Sequence, residues 1–369
     1  MAAALGAVMD NHQDHLALLK QVTPDDVSKA AKLVEGGLVE VKCQEADDPL
    51  YFKAEVQAGT DRASVTVANE YANVIEITRN DDVLYSNPVM TADVAHDQVL
   101  ELLNNHGLKA MLELCQTMTP EELEPLLAAA LTNQKAALAG LENQEMNYGS
   151  SLLDYYQTFT PPYTVVNKAQ AMTAAASEAR MLGLVVPIIM IGGSGNHGIT
   201  NFLGVLTVAE ELGLDRAATA RALAVASLIT VCTKSIIKRM TAFCGCAVAA
   251  ATGVAAATVH MLGGDYREQE MAMQSLIGTL GGMFCDGAKE SCAYKLSTAV
   301  AMAVQFAYLA RKGVGLNGGM GILGDTVEET FQNLGVLNNP GMVETEKTIF
   351  SIMEKRLSRL NPDAGKPHG

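Results

Sequence analysis

Residues 240–264 read MTAFCGCAVAAATGVAAATVHMLGG, a stretch without a charged side chain. Its length would suffice to cross a bilayer, but alanine, glycine, threonine and cysteine fill it where leucine, isoleucine and phenylalanine would be needed. Small side chains instead let two helices approach closely inside a protein. Residues 276–287 are again rich in small residues. The pattern therefore predicts two closely packed central helices in an all-helical domain rather than a membrane span.

The composition of the whole chain excludes several classes of protein. Its 369 residues include 26 basic and 41 acidic side chains, for a formal net charge of −15. Because a protein that neutralises phosphates needs an excess of lysine and arginine, we expect no nucleic acid and no membrane as partner. The 7 cysteines, an odd number gathered late in the chain, argue against a secreted disulfide framework. We expect reduced thiols and a cytoplasmic protein, and the acidic surface leaves a homo-oligomer open.

The first third of the chain has the patterns of a small α/β region. Thr23-Pro24 marks the start of a helix that two glycines at 36 and 37 should end. Four extended runs bounded by turn residues follow at 38–43, 50–56, 63–68 and 73–78. In the third run Val65 and Val67 alternate with Ser64 and Thr66, as expected of a strand with one buried face. A small antiparallel sheet is the natural assembly.

Strand patterns end beyond this region. Thr119-Pro120-Glu121-Glu122 has the pattern of a capping box with proline at the first helical position, and helical periods then continue almost to the end of the chain. The predicted fold class is therefore α+β, a small N-terminal α/β region with a short antiparallel sheet followed by a large all-α domain. The predicted boundaries are an α/β region at 1–118, a connecting helix at 119–147, an all-α domain carrying the site at 148–361, and a disordered tail at 362–369.

A glycine-rich motif lies within the helical part. Residues 193–198 read GSGNHG, which fits the Gly-x-Gly-x-x-Gly dinucleotide pattern. That pattern needs a second strand ending in an acidic residue, whereas another helix is predicted here, so NAD or flavin binding is not expected. Glycines before a helix still expose backbone N–H groups that attract an anion, and a small carboxylate fits as well as a phosphate. A tight turn without a ligand is the alternative.

Four cysteines form a second group of candidate site residues. Cys285 and Cys292 would lie about 10.5 Å apart on an unbroken helix, so both can bind one centre only if the chain bends at Asp286-Gly287. Cys244 and Cys246 would point to different sides of a helix, so only one of them would face that centre. Three thiolates are one short of the four that saturate an iron–sulfur cluster, and an iron left open can act as a Lewis acid. Four buried cysteines in a tight core are the alternative.

With these motifs the chain resembles the L-cysteine desulfidases, which share their catalytic region with the α part of bacterial iron–sulfur L-serine dehydratases. The segments that carry the resemblance are GSGNHGI at 193–199, RMTAFCGC at 239–246, FCDGAK at 284–289, SCA at 291–293 and KLST at 295–298. The similarity extends over essentially the whole chain. It implies an enzyme that carries out α,β-elimination on a small amino acid, giving pyruvate, ammonia and hydrogen sulfide from L-cysteine. L-serine dehydratase is the nearest alternative.

The resemblance also implies site residues. It makes Cys285 and Cys292 two ligands of a [4Fe–4S] cluster, and the matching residues before Cys244 make that cysteine the third, with Cys246 as the fallback. The residues expected to bind the substrate are Ser194, Gly195 and Asn196, which would hold the carboxylate, and the neighbouring His197 and Lys295.

Two departures from the family pattern bear on catalysis. Family members begin with a segment bearing Gly-Cys-Thr-Glu-Pro, whose cysteine serves as the base, whereas residues 1–7 of this chain resemble the interior of the family sequence. We therefore expect that segment to be missing, and Cys43 does not replace its cysteine. Tyr71 stands where the family has the histidine of a His-Thr-Asn motif. The catalytic base is left unassigned, and a truncated, non-catalytic relative is the alternative from another class.

Overall fold

The structure is a computed structural model that describes residues 1–9, 19–42, 50–68, 73–87, 94–159, 164–238 and 241–360. The chain divides into two compact units. The first unit comprises Met1–Val94 with Thr348–Gly369, and the second comprises Ala95–Lys347. The predicted tail at 362–369, Cys43 and Tyr71 lie outside the described residues.

The small sheet and two helices come first in the chain. These elements are α1 (Ala2–Val8), α2 (Pro24–Glu35), β1 (Tyr51–Ala58), β2 (Asp61–Ala68), β3 (Val74–Arg79) and β4 (Asp82–Ser86). Helices follow in two groups. The first group is α3 (Val94–Cys115), α4 (Pro120–Glu142), α5 (Tyr148–Phe159), α6 (Val165–Met181), α7 (Gly195–Gly198) and α8 (Gly204–Glu211). The second group is α9 (Arg216–Ile237), α10 (Ala251–Met261), α11 (Tyr266–Leu280), α12 (Cys292–Ala310), α13 (Val327–Val336) and α14 (Val343–Leu360). The α+β fold class is confirmed.

Both predicted capping patterns form. The Thr23 side chain accepts the N–H of Asp26, and the Asp26 side chain accepts the N–H of Thr23, so α2 begins where the sequence predicts. Thr119 and Glu122 make the same reciprocal pair at the start of α4. Each box satisfies backbone donors that the first turn of a helix leaves free, which fixes these two helix starts locally.

The sheet is an antiparallel meander in the order β1-β2-β3-β4. The predicted strand at 38–43 is wrong over residues 38–42, which form no strand. The sequence does not predict β4, because all of its residues are exposed and no buried and exposed positions alternate along it. In β2 the alternation is as expected, but the buried positions are Ser64, Thr66 and Ala68. The Ser64 and Thr78 hydroxyls lie 2.8 Å apart and share a hydrogen bond, which satisfies these polar groups on the buried face.

The core of the second unit is built from small residues, as the sequence predicts. Every residue of α10 from Ala251 to Val259 is buried. A Cβ at Gly253 would lie 2.3 Å from the Ala226 carbonyl oxygen, so only glycine lets α10 approach α9 this closely. One described helix, α9, is long and apolar enough to cross a membrane, but 78% of its apolar 18-residue stretch is buried inside the protein. That burial is typical of a core helix in a soluble protein.

Candidate functional site

The glycine motif at 193–198 begins with a tight turn. Ile191 and Ser194 exchange two backbone hydrogen bonds, with N···O distances of 3.3 and 3.2 Å. Gly192 and Gly193 between them have φ angles of +54° and +80°, the left-handed values that a two-residue turn of this kind requires. A Cβ at Gly192 would also lie 2.9 Å from Cγ of Lys234. Conformation and space therefore both call for glycine here.

A continuous helical run follows the turn, and most of the motif is buried in it. The run consists of α7, a π-helical segment at Ile199–Leu203 and α8. A Cβ at Gly198 would lie 2.0 Å from the Ile189 carbonyl oxygen, so the chain before the turn packs directly on the helix. Ser194 is half-buried at the head of the run, whereas the next four residues are buried. The serine is thus the accessible side chain of the motif.

Two basic side chains that the sequence does not predict at the site, Arg180 and Lys234, contact Asn196 and its neighbours. The Arg180 guanidinium donates from Nη1 to the Asn196 side-chain oxygen at 2.9 Å. A Cβ at Gly195 would lie 2.7 Å from Nε of the same arginine. Lys234 is 1% exposed and lies against the glycine turn. It interrupts an otherwise uncharged stretch of α9 from residue 222 to 237, which is the sequence signal that could have identified it.

His197 connects the glycine motif to the cysteines. Its ring is 7% exposed, and its Nδ1 lies beside Gly192. Burial and the nearby charge of Lys234 lower its pKa to about 3, so the ring is neutral at pH 7. A Cβ at Gly245 would lie 2.4 Å from His197 Nε2. The imidazole therefore packs on the backbone between Cys244 and Cys246.

The two cysteine segments, far apart in sequence, pair through their backbones. Phe243 and Phe284 form an isolated antiparallel bridge. The N–H of Cys244 donates to the Met283 carbonyl at 2.7 Å, and the N–H of Cys285 donates to the Ala242 carbonyl at 2.8 Å. These bonds bring the backbones of Cys244 and Cys285 side by side.

The chain bends between Cys285 and Cys292, as the sequence argument required. Gly287 has a φ angle of +91°, and α12 begins only at Cys292. The Cys292 thiol lies 3.8 Å from the Gly287 carbonyl oxygen. Cys285 is exposed and Cys292 is half-buried, so this side of the cluster of cysteines opens to solvent.

The placement of cysteines on helices needs correction. Cys244 and Cys285 lie in loops, and Cys246 begins a π-helical segment, Cys246–Ala250. Because Cys244 lies outside any helix, the prediction that Cys244 and Cys246 point to different sides of one helix is wrong in its premise. One short π-helical segment follows the glycine motif and another begins at Cys246, and such segments are frequent at functional sites.

A hydrogen bond between the two buried thiols, Cys244 and Cys246, shifts their pKa values in opposite directions. Donation from Cys246 lowers the pKa of Cys244 to about 7, although burial acts in the opposite direction. The same hydrogen bond, together with burial, raises the pKa of Cys246, whose thiol also bonds to Thr200. Burial raises the pKa of Cys285, and the nearby Cys244 and Cys292 raise it further. Each of the four late cysteines thus lies within electrostatic range of two of the others.

Lys295 forms hydrogen bonds on the exposed side of the cysteine cluster. Its Nζ donates to the Phe284 carbonyl at 2.8 Å and to Asp286 Oδ1 at 2.7 Å, which leaves one of its three donors for another group. Burial would lower the pKa of Lys295, but Asp286, Cys244 and Cys285 raise it. Lys289 also pairs with Asp286, at 2.5 Å. The ammonium of Lys295 therefore stays charged beside the thiols.

The late cysteines offer thiol donors, the kind of ligand that iron–sulfur clusters use. Across the part of the chain that the structure describes, no three His, Cys, Asp or Glu side chains converge as closely as a single ion requires. A four-iron cluster is wider than one ion, and thiolates are its usual ligands. The cysteine ligands and the residues predicted to bind substrate stay predictions.

The chain belongs to the serine dehydratase α-chain family, whose model matches residues 13–351. Membership indicates a lyase of the dehydratase type, and this family is typically associated with iron–sulfur clusters. Among similar proteins, a UPF0597 protein of Methanocella arvoryzae is 46% identical over 353 residues, which cover 96% of this chain and 82% of the relative. UPF0597 proteins of Desulforapulum autotrophicum and Caldanaerobacter subterraneus are 34% and 33% identical, covering 97% and 96% of this chain and 82% of each relative.

Proposed function

We propose that the chain is an iron–sulfur-dependent lyase that converts L-cysteine to pyruvate, ammonia and hydrogen sulfide in the cytoplasm. The observation that carries the proposal is the contact between His197 and Gly245, which brings the glycine turn to the paired cysteine segments. An anion-binding turn and a set of thiols in one place suit an amino acid whose carboxylate is held while its side-chain sulfur departs.

Three cysteines would hold a [4Fe–4S] cluster at this site: Cys244, Cys285 and Cys292. The backbone pairing of the Cys244 and Cys285 segments supports the choice of Cys244. Cys246 is the fallback ligand. When bound, a cluster with one iron free of protein ligands supplies a Lewis acid for a thiol or hydroxyl leaving group.

The protein's own residues would position the substrate. The backbone N–H groups that open the helical run after Ser194 lack intrahelical acceptors and favour a carboxylate, and the serine hydroxyl is the accessible side chain beside them. Asn196 is oriented by its hydrogen bond from Arg180, which leaves its amide N–H groups as donors. Arg180, Lys234 and Lys295 place positive charge around a substrate carboxylate and the thiolates.

The reaction balances without a redox partner. The C–S bond of cysteine breaks with loss of the α-proton, hydrogen sulfide departs, and water then replaces the amino group as ammonia leaves, which gives pyruvate. Neutral His197 cannot repel the lysine and arginine charges around it. The site thus keeps its cations close together without an extra positive charge.

Product analysis tests the proposal. Protein reconstituted anaerobically with iron and sulfide, then freed of excess sulfide, is given L-cysteine, and pyruvate and new sulfide are measured together. Equal amounts of both are expected, with loss of both in Cys285→Ser and retention in Cys115→Ser, whose cysteine is buried outside the site. Fully loaded protein that yields no pyruvate from L-cysteine or L-serine would identify a non-catalytic relative instead.

Dehydration of L-serine is the second candidate function. The family description favours it, because the matching model is that of serine dehydratase α chains. The same carboxylate turn would serve both substrates, which differ by one atom. Pyruvate from L-serine in the same assay, without sulfide from L-cysteine, would establish this function in place of the first.

A further inference from the structure

The strand β1 is an edge strand of the small sheet, in the first unit of the chain. In the described part of the chain it pairs only with β2, and all 8 of its residues are exposed. An edge strand offers free N–H and C=O groups with which a further strand can pair. The features that usually prevent such pairing are missing within β1, because it contains no proline and its register with β2 has no bulge.

The turn after β1 shows which backbone groups face away from the sheet. Two residues connect β1 to β2, and the first of them, Gly59, has a φ angle of +61°, as a hairpin turn of this length requires. The turn pairs Ala58 with Asp61, so their backbone groups face each other. Arg62 donates its N–H to the Asn80 side chain on the β3 side, which agrees with this alternation. The backbone groups that face outward from β1 are therefore those of residues 51, 53, 55 and 57.

The charges of β1 are self-complementary in one antiparallel register. Its sequence is YFKAEVQA, in which Lys53 and Glu55 are the charged residues and both lie on the same face. If two copies of β1 pair about a twofold axis at Ala54, each Lys53 lies opposite Glu55 of the other copy. An axis at residue 53 or 55 instead sets lysine against lysine or glutamate against glutamate, which is unfavourable. Any shift from Ala54 also leaves fewer of the outward backbone groups paired.

The same register covers exposed side chains on both faces of β1. Phe52 and Val56, which are 53% and 52% exposed, lie opposite each other across the axis, at positions where side chains approach closely. On the other face, Glu55 pairs with Arg62 of β2 at 2.5 Å. Lys53 has no carboxylate within ion-pair distance among the described residues. A second copy would bring its Lys53 to Glu55 and complete a network of three charges.

The opposite edge of the sheet is less suited to pairing. The strand β4 has 5 residues, and its register with β3 is irregular between Ile77 and Thr78. Short and irregular edges resist pairing with another chain. Asp82 is the charged residue of β4, so two copies of this strand have no basic side chain to set against it.

We propose that β1 is the docking surface for a second copy of this chain. The two sheets would join into one continuous antiparallel sheet about a twofold axis at Ala54. Such an interface uses the same residues on both copies, so it closes with two copies and does not propagate. The inference does not depend on the proposed lyase activity, because β1 lies in the Met1–Val94 part of the chain and the late cysteines lie in the Ala95–Lys347 unit.

Sedimentation velocity of the purified full chain, over a concentration series and with reductant present, tests the proposal. The wild-type protein is expected to form a dimer. Lys53→Glu leaves β1 with acidic charges only, and Glu55→Lys leaves it with basic charges only, so each variant alone should self-associate about tenfold more weakly. Lys135→Glu, at an exposed lysine on α4, is the matched control and should dimerise like the wild type.

Mixing the two charge variants distinguishes this interface from a general loss of stability. In a mixed dimer both cross-strand pairs are again of opposite charge, so Lys53→Glu and Glu55→Lys together should form a heterodimer of about wild-type affinity. A monomeric wild-type protein at every concentration, a dimer that Lys53→Glu does not weaken, or two variants that fail to associate when mixed would overturn the proposal.

Disulfide cross-linking tests the register without changing a charge. With the axis at Ala54, the two thiols introduced by Ala54→Cys face each other, with Cα atoms about 4.5–5.5 Å apart, and diamide should link them. Ala58→Cys is the matched control on the same face of β1, because its two copies would lie about 27 Å apart. Mass spectrometry of the linked peptides separates these bonds from those of the native cysteines. Equal linking of both variants, or none in Ala54→Cys, would contradict the register.

Discussion

Replacing Gly245 with alanine should separate the glycine turn from the cysteine segment. The added Cβ would lie 2.4 Å from Nε2 and 2.9 Å from Cε1 of His197, closer than real Cβ atoms approach. The imidazole is buried, so it has little room to move. Overpacking of this kind costs about 1–3 kcal/mol of unfolding free energy.

The backbone conformation of Gly245 does not disfavour alanine. Its φ and ψ angles of −60° and −23° are helical, and alanine at such a position ordinarily stabilises by about 0.4–1 kcal/mol. We therefore expect a net loss of about 0–2.5 kcal/mol from the two opposed terms. Gly282→Ala is the matched control, because a Cβ there meets nothing within 4 Å.

A double-mutant cycle in urea measures the steric term alone. His197→Ala removes the ring that the new methyl group meets, so Gly245→Ala should cost about 1–3 kcal/mol less in that background than in the wild type. The unfolding free energies of the four proteins give this coupling directly. If Gly245→Ala has the same effect in both backgrounds, His197 does not pack on Gly245 and the connection between the two motifs is wrong.

Three further predictions concern polar groups of the Ala95–Lys347 unit. Asn133 is fully buried and bonds to both the N–H and the carbonyl of Ile189, at 2.7 and 3.0 Å, so Asn133→Ala should lower the urea unfolding free energy by about 1–3 kcal/mol, and an unchanged midpoint would contradict this. Glu178 accepts the two backbone N–H groups that open α5, at 2.9 and 2.7 Å, so Glu178→Gln, which can accept only one of them, should cost about 1–3 kcal/mol, whereas equal melting temperatures would argue against the pair. Burial and the charge of Arg221 lower the pKa of His260 below its ordinary 6.5. The unfolded chain therefore binds the proton more readily, and the unfolding free energy falls as pH drops below about 6.5. His260→Gln should reduce the slope of unfolding free energy against pH, and an unaltered slope would refute the assignment.

Features fixed by neighbours in the sequence were predictable. The two capping boxes place the starts of α2 and α4 correctly, because the residues that make each bond are three positions apart. The bend at Gly287 follows from its lack of a Cβ and the spacing of Cys285 and Cys292. The small-residue helix α10 follows from its composition.

Features fixed by distant partners were not predictable. Nothing in the chain near Phe243 shows that it pairs with Phe284, so the sequence alone predicts a helix at Cys244 and a wrong geometry for Cys246. The buried face of β2 depends on the hydroxyl pair of Ser64 and Thr78 in two strands, which periodicity does not show. Arg180 reaches the glycine motif from another helix in the same way.

Loss of the iron–sulfur absorbance in single cysteine variants tests the central claim most directly. Each of the late cysteines is changed to serine, with Cys115→Ser and Cys232→Ser as buried controls, and iron, labile sulfide and visible absorbance are measured after anaerobic reconstitution. The account predicts that the Cys244, Cys285 and Cys292 variants lose the cluster while the Cys246 variant and both controls keep it. Undiminished absorbance in the Cys285 and Cys292 variants, or no absorbance in the wild-type protein, would contradict it.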